Sequence, residues 1–86
     1  MTNLLEIPRN ALFVEAVTYR GASNEEMRHQ LTKIAEAASL NDLLTFLEIP
    51  GIHVSRENMN EVRRHLIGVY VNRQAHTIRE VLKAIG

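Results

Sequence analysis

Arg56, Asn60 and Arg63 recur at i, i+4 and i+7 within the stretch SRENMNEVRRHL, residues 55–66. On a helix that spacing sets the three side chains on one face. Arginine and asparagine are the residues that pair best with base edges, the guanidinium on guanine and the amide on adenine. Arg64 and Arg73 complete a candidate nucleic-acid-binding set. On the neighbouring face Glu61 is spaced to pair with Arg64 at i+3 and with His65 at i+4, which leaves Arg56 and Arg63 comparatively free. The plain alternative is a charged face that meets only water.

Other chemistry finds no footing. Ser23, Ser39 and Ser55 each stand where a helix cap is expected, so structure accounts for them before catalysis does. Gly21, Gly51, Gly68 and Gly86 are isolated, and no phosphate-cradling loop can be built from them. His29, His53, His65 and His76 show neither H-x-x-x-H nor H-E-x-x-H spacing, which would offer a metal two ligands from successive turns. Glu25 and Glu26 form a carboxylate pair, but at a helix start they complement the dipole. The sequence therefore predicts no catalytic residue, no metal, no cofactor, no small-molecule substrate and no enzyme.

Composition sets the frame for these residues. The chain has 86 residues, 45% of them hydrophobic, which fits one domain, 1–86, with one modest core. Cysteine is absent, so no disulfide framework or thiolate site contributes. Aromatic residues make up 5%, too few for the platforms on which single-stranded nucleic acid stacks. The amino terminus lacks a basic segment followed by a long apolar run, and the run Val69–Val71 is far too short to span a bilayer. A cytoplasmic protein without a membrane segment is expected. Residues 1–54 carry 4 Lys/Arg against 7 Asp/Glu and residues 55–86 carry 6 against 3, a balance of −3 against +3. That asymmetry suits either a nucleic acid or the acidic face of a second copy.

The elements that must position Arg56, Asn60 and Arg63 follow from periodicity. PRNALFVEAVTYRG reads as a helix starting at Pro8 or Asn10 and closed by Gly21, with Leu12, Ala16 and Tyr19 on one face; its alternation also allows a strand. Ser23 and Glu26 form a capping box, and Met27, Leu31, Ile34 and Ala38 then mark a helix over 24–38. Ser39 precedes a third helix with the stripe Leu40, Leu43, Leu44 and Leu47, stopped by Pro50-Gly51. Ser55 opens a fourth, where Val54 and Met59 occupy the positions of a hydrophobic staple and Met59, Val62 and Leu66 form its buried face.

Beyond Leu66 the pattern turns. At roughly 100° per residue, Ile78, Val81, Leu82 and Ile85 centre about 120° away from the stripe Met59, Val62, Leu66 and Val69. Thr77 and Glu80 make a further capping box, so a break within 72–76 and a last helix to Ile85 are expected. One helix of about 30 residues with its end buried on a partner is the alternative. GVYV, residues 68–71, could be a short strand.

The fold expected is mostly all-α, a compact bundle of four to five short helices, helix-turn-helix-like in one arrangement, with a short β element near 68–71 as the alternative to helix there. The order of helices 24–38, 40–47 and 55–67 is that of helix-turn-helix and winged-helix DNA readers, in which the third helix enters the major groove. Two functions compete. One is a small regulatory, transcription-type protein that binds duplex DNA through residues 55–67, its partners being that DNA and a second copy in a homodimer. The other is a helical interaction module, a regulator or adaptor that docks a protein partner and no nucleic acid. Leu66, Tyr70, Ile78, Leu82 and Ile85 point in more directions than one small core absorbs and form the expected dimer interface.

Overall fold

The computed structural model describes residues 16–49 and 52–85. The start assigned to the first segment at Pro8 or Asn10, its Leu12, and the Pro50-Gly51 stop lie outside these residues. Among the described residues there are three α-helices and no strand: α1 is Asn24–Ala37, α2 is Leu40–Leu47 and α3 is Met59–Ile85. A 3-10 turn, Ala16–Tyr19, precedes them where a helix or strand was expected. Gly21 closes it with φ +87°, a backbone conformation that a side chain would strain.

Serine chemistry starts the helices. Ser23 accepts from the backbone N–H of Glu26 at 3.1 Å. Ser39 and Asp42 form a complete capping box, each side chain accepting from the other's backbone N–H. Before α3 the reciprocal pair is Ser55 with Asn58: Ser55 N–H donates to Asn58 Oδ1 at 2.7 Å, and Asn58 N–H donates to Ser55 Oγ at 3.3 Å. Residues 56–58 form a turn, and regular α-helix begins at Met59.

The core takes one stripe from each helix. Met27, Leu31, Ala35 and Ala38 come from α1 and its cap, Leu43 and Leu47 from α2, and Leu66, Tyr70, Val71, Ala75 and Ile78 from α3. Phe46 meets Tyr70 edge-on, with ring centroids 5.6 Å apart. The expected stripes on α1 and α2 are nearly those observed, with Ala35 buried and Ile34 only partly so. Met59 is 44% exposed, so it does not begin the buried face of α3, and Val62 takes that place.

Three α-helices stand among the described residues where four to five were expected, and three expectations for α3 are not met. No break falls within 72–76, no β element occupies 68–71, and Thr77 caps nothing, because α3 runs 27 residues without interruption, roughly 40 Å. The drift of the apolar stripe is real, but both faces are served inside one chain. Arg63 reaches the end of α1 while Asn72 accepts from Arg28 in its first half, so α1 and α3 run antiparallel. Arg63 reaches Ala38, just before α2, and Arg73 reaches Leu47, at its end, so α2 runs alongside α3 in the same direction. Short helices of different length lie against one long helix, and the covered face shifts where one of them stops.

Candidate functional surface

Turn 56–58 and the first two turns of α3 carry the residues singled out for nucleic-acid reading. Asn58 anchors this entry, its side-chain amide donating to the carbonyl of His53 at 3.0 Å. Arg56, Asn60 and Arg64 are exposed, and none makes a side-chain hydrogen bond or ion pair among the described residues. The pairing expected of Glu61 with Arg64 and His65 does not form. The ion pair present among the described residues joins Glu80 to Lys83 at 3.7 Å, both well exposed.

Arg63 faces elsewhere. Its Nη2 donates to the carbonyl oxygens of Glu36 at 2.7 Å and Ala38 at 2.8 Å, at the carboxyl end of α1. Arg73 does the same for α2, donating from Nη1 to the carbonyl of Leu47 at 3.1 Å. The last carbonyls of a helix have no intrahelical donor and form the negative end of its dipole, so a guanidinium there satisfies both needs. Neither α1 nor α2 carries a basic residue in its last turn. α3 supplies both cations. Two of the five residues in the nucleic-acid set thus hold the fold together, and Arg56, Asn60 and Arg64 remain on the surface. A signal for this was present in the sequence: two helices without a basic last turn, followed by an arginine-bearing one.

The residues expected at a dimer interface divide in the same way. Leu66 and Tyr70 are fully buried and Ile78 is 3% exposed, so these three belong to the core of a single chain and are not free to meet a second. Leu82 is half-buried and Ile85 is 49% exposed. Leu82 and Ile85 line an open recess of about 320 Å³ together with Arg20 and Gly21, between the 3-10 turn and the end of α3. Val81 and Val17 are also large, apolar and exposed.

Burial pushes the Tyr70 hydroxyl up to about 12, against a lesser downward pull from its hydrogen bond with Gln74. Tyr19 is raised by burial as well. His29, His53, His65 and His76 are all exposed, and no group of three His, Asp or Glu side chains converges on a metal-sized site among the described residues. No described helix is long and apolar enough to cross a membrane. Comparison with known protein families, curated proteins and solved structures yields no match to this chain.

Proposed function

We propose that the chain is a helical protein–protein interaction module whose docking surface lies at the carboxyl end of α3. The observation that carries this reading is the exposure of Val81 and Ile85 beside the recess lined by Arg20, Gly21, Leu82 and Ile85. Apart from Met59 at its first residue, which is 44% exposed, the other large apolar residues of α3 are buried or partly buried against the core. Apolar side chains left open at the end of a helix, next to a concave surface, are the elements from which protein contacts are built. Arg20, Arg79 and Lys83 near this end outnumber Glu80, which favours a partner presenting apolar groups flanked by carboxylates. Of the residues expected at a dimer interface, Leu66, Tyr70 and Ile78 lie in the core, and Leu82 and Ile85 at this surface are the ones left to a homodimer.

A photo-crosslinking residue in place of Ile85 tests the reading in the cells that make the protein. A discrete adduct, with a second copy or with another protein, that disappears on adding Val81→Asp supports it. No adduct at Ile85 overturns it.

Duplex DNA binding is the second reading, favoured by the free and exposed Arg56, Asn60 and Arg64 at the start of α3. Its test is titration with a nonspecific duplex at about 50 and 200 mM salt, since phosphate contacts weaken steeply as salt rises. Binding that falls with salt and is lost in the Arg56→Ala, Arg64→Ala double variant would transfer the assignment to DNA.

A further inference from the structure

We propose that α3 carries a hinge between His76 and Thr77, at which residues 77–85 turn away as a separate helix capped by Thr77. Three observations meet at this peptide. Thr77, Ile78, Arg79 and Glu80 have the form of a capping box, threonine at the N-cap and glutamate three residues on, yet they lie inside a continuous helix. Both Thr77 and Glu80 are exposed, and Glu80 is held only by a solvated contact with Lys83. Their exposure leaves both side chains room to take the capping geometry, while Ile78 between them is buried in the core.

The second observation is where the neighbouring helices stop. The antiparallel register fixed by Arg63 with Ala38 and by Arg28 with Asn72 brings Asn24, the first residue of α1, level with His76. α2 ends beside Arg73. Residues 77–85 therefore extend past both helices, next to the 3-10 turn and Arg20-Gly21. The third observation is a fall in burial at the same point. Leu66, Tyr70, Val71 and Ala75 are buried before it, whereas Val81, Ala84 and Ile85 are exposed after it and Ile78 with half-buried Leu82 provide the anchorage.

In the straight helix the N–H groups of residues 77–80 donate to carbonyls four positions earlier. Opening at the hinge breaks all four bonds and remakes two: Thr77 N–H donates to the Glu80 carboxylate, and Glu80 N–H donates to Thr77 Oγ1. The amides of Ile78 and Arg79, and the carbonyls of residues 73–76 that the four bonds had served, are left to water. No other point in α3 offers this replacement, so bending concentrates here.

Native-state amide hydrogen exchange of the full chain, read residue by residue, tests the hinge. The amides of Ile78 and Arg79 should exchange faster than those of Val71–Ala75 before them and of Val81 and Leu82 after them. Thr77→Val keeps the branched shape and a similar helix propensity but cannot cap, and it should slow exchange at Ile78 and Arg79 by roughly twofold to thirtyfold. Thr77→Ser should retain the fast exchange. Protection that declines smoothly from Ala75 to Leu82, as end fraying gives, overturns the hinge, and so does exchange at Ile78 and Arg79 that Thr77→Val leaves unchanged.

Discussion

Nη2 of Arg63 lies 2.8 Å from the carbonyl oxygen of Ala38, the residue that closes α1. A side chain whose spacing suits base recognition is thus the clasp between the first helix and the last. The same guanidinium serves Glu36, so one arginine satisfies two carbonyls that α1 cannot satisfy by itself.

Replacing that clasp should show in stability. Arg63→Ala should destabilise by about 1 to 2 kcal/mol, since hydrogen bonds from a charged donor are worth about 1.5 to 3 kcal/mol and this site is partly solvated. Arg63→Lys should fall between, because an ammonium keeps the charge but not the planar fork. Arg56→Ala and Arg64→Ala should stay within about 0.5 kcal/mol of wild type. Urea unfolding of the four variants checks the set. A neutral Arg63→Ala would mean that the clasp contributes nothing, and it would return Arg63 to the surface set.

Gly68 sits within α3, exposed, and a Cβ built on it meets nothing within 4 Å. Glycine in a helix interior is less favourable than alanine by about 0.5 to 1 kcal/mol, and no close approach within the chain compensates. Gly68→Ala should therefore raise stability by about that amount, seen as a higher thermal midpoint. A drop instead would place a contact at Gly68 that the isolated chain does not make.

Tyr70 makes stability sensitive to alkali. Its hydroxyl is pushed up to about 12 when folded, while an unfolded tyrosine titrates near its ordinary 10.0. Between those values the unfolded chain releases a proton that the folded chain keeps, so the unfolded state binds fewer protons and stability falls as pH rises. Below pH 10 the contribution is fully present; it is lost progressively toward 12. Tyr70→Phe should flatten this part of the pH–stability curve, apart from the smaller effect of Tyr19, in denaturant melts run from pH 8 to 12. An unchanged slope would show that Tyr70 titrates as an exposed phenol.

Much of the fold was legible in the residues because local physics decides it. The three capping serines, the stripes Met27–Leu31–Ala38 and Leu43–Leu47, and the bounds of α1 and α2 depend on side chains within one or two turns of each other, so spacing alone reveals them. The turn of the apolar stripe beyond Leu66 was legible too. Its meaning was not. A 120° drift fits a broken helix, a partner chain or unequal neighbours equally well, and only the positions of α1, α2 and the 3-10 turn around α3 choose the last. The capping box at Thr77 is silent in the straight helix for the same reason: Val71 and Ala75 before it and Ile78 after it belong to one core, and that packing outweighs a local signal for a helix start.

The candidate surface shows the same division. Sequence by itself determined that Asn60, Arg63 and Arg64 lie together at the start of a helix, with Arg56 just before them, and that the chain has no cysteine. Tertiary structure alone decided which of those arginines face water and which face another helix. Helical spacing fixes the angle of a side chain about its own axis, but where the neighbouring helix ends is set by long-range packing. Arg63 and Arg73 turn inward because α1 and α2 stop within their reach with unsatisfied carbonyls, while Arg56 and Arg64, on the same helix start, find no helix end beside them and stay in solvent.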